Sequence, residues 1–154
     1  MSKTPAQIVR AILENPTDLQ SVSELVAPDA TYVSLAYDNP DLKRLMPWAG
    51  TSRGGPQAVV DTYARVGRYW TNEGFEIEDV LESEDRAAVF GRFTYRSTTL
   101  AKVVTSPFAI LARMSGGRVT YMQFMEDTFG TAATFRSGGE AVFHPDPDGG
   151  EVRL

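Results

Sequence analysis

Apolar positions recur at helical spacing over the first part of the chain and switch to alternation over the second. Thr4-Pro5-Ala6-Gln7 combines a capping hydroxyl, a proline at the first helical position and a glutamine three residues after the cap, which together nucleate a helix. Ile8, Val9, Ile12 and Leu13 form its buried stripe. Asn15-Pro16 ends it, and Thr17 with Gln20 repeats the capping pattern for a second short helix with Leu19, Val22, Leu25 and Val26 on one face. Thr31 to Tyr37, rich in β-branched and aromatic residues, reads as a strand.

Residues 38–55 hold prolines, glycines and several charges, a loop long enough to suggest a function or a flap, with Trp48 inside it. Gly54-Gly55-Pro56 starts a third helix, whose Val59, Val60, Tyr63, Val66 and Trp70 recur at helical spacing up to an Asn72-Glu73-Gly74 stop. Strands are then expected near Phe75 to Ser83, Arg86 to Thr98, Val103 to Met114 and Val119 to Asp127, separated by turn signals such as Ser115-Gly116-Gly117. Helices followed by a meander imply an α+β domain with an antiparallel sheet and the helices packed on one face. The second meander strand is apolar on both sides, Val89, Phe93 and Tyr95 against Phe90, and Leu111 opposes Ile110 in the same way. The face that the helices leave bare is expected to pack on a second copy of the chain, giving a homodimer.

Beyond Phe135 the composition shifts to Gly, Pro and Asp, so the expected division is a domain over residues 1–135 and a flexible tail over 136–154. Ala141-Val142-Phe143 is the apolar patch of that tail, suited to docking over a pocket mouth or on a partner subunit.

The chain has 154 residues, 42% of them hydrophobic, which is enough material for a core without a covalent staple. It has no cysteine, which removes disulfides, thiolate metal sites and thiol nucleophiles together and fits a cytoplasmic address. A net charge of -5 with interspersed signs supplies no basic stripe for phosphates, so nucleic acid is not an expected partner. The apolar runs are too short for a membrane span or a signal peptide. With a single histidine and scattered acids, neither a metal nor another cofactor is expected. His144, the side chain that ordinarily titrates nearest neutrality, lies in the tail, where catalytic geometry is hard to hold.

The aromatic residues are more informative as a set. If the sheet curls over the helices, Tyr32, Trp48, Tyr63, Trp70, Phe93, Tyr95, Phe108 and Phe124 converge, offering flat apolar walls with a few hydroxyl and indole donors. Tyr32, Trp48, Tyr63, Phe93, Tyr95, Phe108 and Phe124 are the candidate ligand-binding residues for a small apolar molecule. Glu126 closes the last strand and by alternation shares a face with Phe124 and Met122. Facing inward, its carboxyl is desolvated and its pKa raised, a state suited to proton transfer; facing outward, it pairs with Arg92 or Arg96. Asp127-Thr128 looks like a cap for a short segment after that strand.

Three stretches carry a family resemblance: Asn15-Pro16-Thr17-Asp18-Leu19 through Ala27-Pro28-Asp29-Ala30-Thr31, Pro47-Trp48-Ala49-Gly50-Thr51-Ser52-Arg53-Gly54, and Gly117-Arg118-Val119 through Glu126-Asp127-Thr128. Over roughly residues 4–135 the chain resembles the SnoaL-like, ketosteroid-isomerase-related branch of the nuclear transport factor 2-like superfamily. The resemblance implies a cone, a strongly curved mixed or antiparallel sheet wrapped around three N-terminal helices with an internal pocket, often paired through the sheet. The catalytic sets of two branches do not carry over. A gapless alignment with ketosteroid isomerases puts Arg10 at their oxyanion-hole tyrosine, Ser34 at their base, and Phe108 or Ala109 near their second acid. The acid and arginine positions of limonene-epoxide hydrolases fall near Tyr95, Phe93 and Phe124. Polyketide cyclases of the SnoaL type use an acidic pocket residue, for which Glu126 is the nearest inward candidate, with Asp38 or Asp127 behind it.

Three functions are therefore in view. The first is an isomerase, cyclase or hydratase acting on a small apolar or polycyclic substrate, with Glu126 as base and Tyr32, Tyr95 or Trp48 as donors. The second is a non-catalytic binding module with the same aromatic pocket, and the third a dimerisation domain whose pocket is filled by side chains.

Overall fold

The computed structural model describes residues 2–154. Two helices open the chain, α1 (Pro5–Glu14) and α2 (Leu19–Leu25). The capping box of α1 forms as expected: the Gln7 amide donates to Thr4 Oγ1 at 3.2 Å and the Thr4 amide to Gln7 Oε1 at 2.9 Å. At α2 the cap moves one residue, because the Asp18 carboxylate, not the Thr17 hydroxyl, accepts from the Gln20 amide. The first strand, β1 (Val26–Ser34), begins directly where α2 ends and stops earlier than the β-branched pattern suggested. Leu35 turns the chain there with φ of 67°, a left-handed conformation held by its amide donating to the Phe124 carbonyl at 2.9 Å.

The expected loop over residues 38–55 contains two elements of its own. Asn39 caps a short helix, α3 (Pro40–Leu45), and β2 (Gly50–Ser52) pairs antiparallel with β1. The long helix α4 (Pro56–Tyr69) follows. Gly55 stands before it with φ of 60°, and a Cβ at that position would lie 2.2 Å from the Pro28 carbonyl oxygen, so only glycine lets α4 start this close to β1. The helix ends at Tyr69, before the Asn72-Glu73-Gly74 signal, because Trp70 is already in register with Ser97 as the first residue of β3 (Trp70–Glu82). The meander continues as β4 (Arg86–Ser97), β5 (Val103–Ser115) and β6 (Arg118–Glu126), and α5 (Thr128–Ala133) closes it.

The six strands form one open sheet in the order β2-β1-β6-β5-β4-β3. All pairs are antiparallel except β1 with β6, which run parallel, so the sheet is mixed. Bulges between Asn72 and Gly74, Ile77 and Asp79, and Arg113 and Met114 bend it. On the inner side α1 packs across β3, β4 and β5, while α2 and α4 pack on each other and on β1. The resulting core holds Ile8, Val9 and Ile12 from α1, Val22, Val59, and the inward row Val89, Ile110 and Phe124 from the sheet. The α+β architecture with a sheet bent over N-terminal helices thus matches the expectation.

The outer face carries two apolar rows that nothing in this chain covers among the described residues. Phe90, Ala109 and Met125 are cross-strand neighbours in one row, and Leu81, Ala88 and Leu111 in the next, with Leu81 62% and Phe90 43% exposed.

The expected tail carries a two-stranded hairpin, β7 (Val142–Phe143) against β8 (Val152–Arg153), closed by mutual hydrogen bonds between Ala141 and Leu154. Arg136 donates to the carbonyls of Gly139 and Leu154, and Lys102 donates to the Arg136 carbonyl. Phe143 meets Phe129 of α5 edge to face at 6.3 Å. His144 and its neighbours are exposed. Among the described residues no helix is long and apolar enough to cross a membrane.

Candidate functional site

Alternation along β6 turns Met122, Phe124 and Glu126 to the inner side, leaving Met125 outside, and the register shift opposite Arg113 and Met114 brings Val119 inward as well. Glu126 is the last residue of the strand and stands across from Phe108 on β5. Arg92 and Arg96 lie elsewhere: Arg92 bridges Glu76 and Glu78, and Arg96 bridges Glu73. The inward alternative for Glu126 is therefore the one the fold adopts.

Its carboxyl enters a cavity of about 20 Å3, room for about one water. The walls are Tyr32 and Ser34 of β1, Thr62, Tyr63 and Val66 of α4, Tyr95 of β4, Phe124 of β6, and Trp48 from the segment between α3 and β2. Glu126 Oε2 is buried and has no hydrogen-bond partner; neither has the buried hydroxyl of Tyr63. Orphaned polar atoms in an interior are uncommon and costly, and these two belong to residues that line the same small cavity.

Burial pushes the Glu126 carboxyl up from its ordinary 4.5 to about 7. The Thr131 hydroxyl beside it favours the charged form, and the negative charge of Asp127 opposes it. Burial also raises the pKa values of Tyr32, Tyr63 and Tyr95, with Glu126 adding to the shift in each case, so all three phenols stay protonated. The cavity thus combines one group that both accepts and returns a proton near neutrality with three phenols that keep their protons and can donate hydrogen bonds.

Of the expected ligand-binding aromatics, Tyr32, Trp48, Tyr63, Tyr95 and Phe124 line the cavity. Phe93 and Phe108 do not. They form a layer beneath it, because both are nearly fully buried in a ring stack: Phe93 against Tyr95 at 4.1 Å, Phe108 between Phe75 at 4.7 Å and Phe124 at 5.5 Å. Trp70 is likewise structural, donating from Nε1 to Thr134 Oγ1 at 2.9 Å. Asp127 caps α5 by accepting from the Gly130 amide at 3.0 Å, as its sequence context suggested, and neither it nor Asp38 lines the cavity.

Ser34, Thr62, Val66 and Thr131 join the site without having been singled out as ligand contacts. Ser34 was detectable, since it sits two residues from Tyr32 on the same strand face. Val66 belongs to the apolar stripe of α4, and Thr62 lies one turn before it. Thr131 had no sequence signal, because its place beside Glu126 depends on how α5 folds back. Among the described residues, no group of three His, Asp or Glu side chains gathers to hold a metal ion.

Comparison with known proteins adds the family. A model described as a SnoaL-like domain matches residues 9–122. Patulin biosynthesis cluster protein F of Penicillium expansum is 41% identical over 153 residues, covering 96% of this chain and 77% of that protein. Patulin synthesis protein F of Aspergillus clavatus is 44% identical over 136 residues, covering 86% of this chain and 69% of that protein. The crystal structure of an NTF2-like protein from Burkholderia thailandensis superposes with a TM-score of 0.72 at 21% identity, over 87% of this chain and 98% of that one. At that identity the likeness speaks for the fold, and the open sheet bent over its helices is the NTF2-like cone. With most of its length matched and two relatives above two-fifths identity, the chain belongs to the SnoaL-like domain family.

Proposed function

We propose that this protein is an acid/base isomerase of a small-molecule biosynthetic pathway, with Glu126 as the proton carrier. The observation that carries the reading is the unpartnered, buried Glu126 Oε2 facing a cavity walled by three protonated phenols. The names of the two fungal relatives, which tie them to patulin biosynthesis, support a place in a pathway of that kind. In the reaction, the Glu126 carboxylate takes a proton from a carbon beside a substrate carbonyl, and the electron pair moves onto the carbonyl oxygen. Hydroxyls from Tyr32, Tyr63 or Tyr95 donate to that developing oxyanion, which is worth most in a site with little water. Glu126 then returns the proton to a second carbon or oxygen, so no electrons are lost or gained overall. The space beside Glu126, about 20 Å3, holds roughly one water in this conformation, so a substrate ring enters only as the walls move outward, which favours a single small ring over a polycycle.

The test is solvent exchange. Single-ring enones and their epoxides, incubated in deuterium oxide and followed by NMR, are expected to gain deuterium next to the carbonyl with the wild-type protein and not with Glu126→Gln. Equal incorporation by both proteins, or none by either across the series, overturns the reading.

The protein acts as a homodimer joined through the rows around Phe90 and Met125, a pairing favoured by their apolar character and exposure. A cytoplasmic site of action fits a chain without cysteine.

A further inference from the structure

A second and more polar cleft, of about 180 Å3, adjoins the Glu126 cavity, and the two share Trp48 and Thr62 as a common wall. Two cations reach into it from different elements. Lys43, in the last turn of α3, extends its ammonium over Gly50, to within 3.9 Å of where a Cβ on that glycine would lie. Arg65, on α4, leans across toward the same segment, with Nη1 3.5 Å from the Pro47 carbonyl. Among the described residues, neither cation forms an ion pair with a carboxylate. The one acid in the cleft, Asp61, accepts a hydrogen bond from Gln57 Nε2 at 2.8 Å.

We propose that this cleft holds the carboxylate of a small acidic substrate, with Lys43 and Arg65 as its counter-charges, while the uncharged body of the molecule points past the shared Trp48 and Thr62 toward Glu126, where the cavity must widen from about 20 Å3 to take it. Charge balance selects a monoanion, because two positive groups and one negative leave a single positive charge to neutralise. Electrostatics also sets the orientation. A carboxylate pushed into the cavity would meet Glu126 in a dry, low-dielectric space, whereas in the cleft it keeps water and two donors. The inference rests on the Glu126 cavity being the substrate site, and it names the substrate class: a single ring carrying one acidic group on the side away from the reacting carbon. Lys43 and Arg65 are specificity residues in this scheme and take no part in the proton transfer.

Benzoate and benzyl alcohol, a charged and a neutral probe of nearly the same size, separate the two ideas when binding is followed by amide shifts and tryptophan emission. The wild-type protein is expected to bind benzoate more tightly than benzyl alcohol. The Lys43→Gln/Arg65→Gln double variant should lose about fivefold or more in benzoate affinity, as expected for two solvent-facing charge contacts, with benzyl alcohol unaffected. An unchanged preference for benzoate in the double variant, an equal loss for both probes, or no response at residues 43–65 to either probe overturns the proposal. Glu126→Gln should keep the benzoate preference whatever the deuterium experiment returns, so failure of the acid/base reading and failure of the anion cleft are told apart.

Discussion

Phe108 stands directly across from Glu126 on neighbouring strands, and its ring lies over Gly91 on the strand beyond. A Cβ at Gly91 would come within 2.1 Å of the Glu76 carbonyl oxygen and 2.6 Å of the Phe108 ring. Neither backbone nor stacked ring yields easily. Gly91→Ala is therefore expected to lower stability by about 1–3 kcal/mol, the usual range for overfilling a packed interior, read as a lower midpoint in urea unfolding. A variant with the wild-type midpoint would mean that the sheet relaxes freely beneath the site.

Glu126 makes the stability depend on pH in a direction that can be worked out. Its folded pKa of about 7 lies above its ordinary 4.5, so the folded state holds the proton more tightly than the unfolded chain. The favourable contribution of the protonated carboxyl is complete below pH 4.5 and is lost as pH rises toward and through 7. Glu126→Gln removes that loss, so its stability relative to wild type should climb by roughly 2–3 kcal/mol between pH 4.5 and pH 8. Urea unfolding of both proteins at the two pH values checks this, and parallel curves would place the carboxyl in solvent.

The same titration sets the rate. If the carboxylate is the working base, kcat/KM for deuterium exchange should rise tenfold per pH unit below about pH 7 and level off above it. A rate that falls across this range would assign Glu126 the acid role instead.

Tyr63→Phe deletes a buried hydroxyl that lies beside the Tyr32 hydroxyl without forming a well-aligned hydrogen bond. Removing an unsatisfied group of this kind is expected to leave the melting temperature unchanged or slightly raised. Exchange activity should nevertheless drop by about tenfold or more if the hydroxyl donates to the oxyanion. A large thermal loss with unchanged activity would make Tyr63 a structural residue.

Phe90→Glu places a charge at the exposed aromatic end of the outer apolar row. Sedimentation velocity is expected to return dimer for wild type and monomer for the variant at micromolar concentration, with the circular dichroism spectrum preserved. A monomeric wild-type protein would leave the outer face to some other partner.

Much of this architecture was legible in the sequence where local chemistry decides it. The Thr4–Gln7 box, the alternation of the meander and the Asp127 cap all rest on neighbours a few residues apart. The period of β6 placed Glu126 on the face of Phe124 and Met122, and the fold decided that this face turns inward. What was not legible depends on distant pairing. β1 runs parallel to β6 only because the chain returns to it after the whole meander. Trp48 faces the cavity because α3 and β2 fold a nominal loop back over α4, and Phe93 and Phe108 sink below it because one ring stacks on the next. Aromatic alternation identifies the inner face of a strand without giving depth on that face.

The parallel pairing of β1 with β6 also bears on how the molecule is made. The last core strand inserts between the first and the fifth, so β1 and its companion β2 have no neighbour on the far side until about residue 126 has left the ribosome. Premature release would strand an amphipathic fragment with an open sheet edge, because the strand that covers it comes from the far end of the meander.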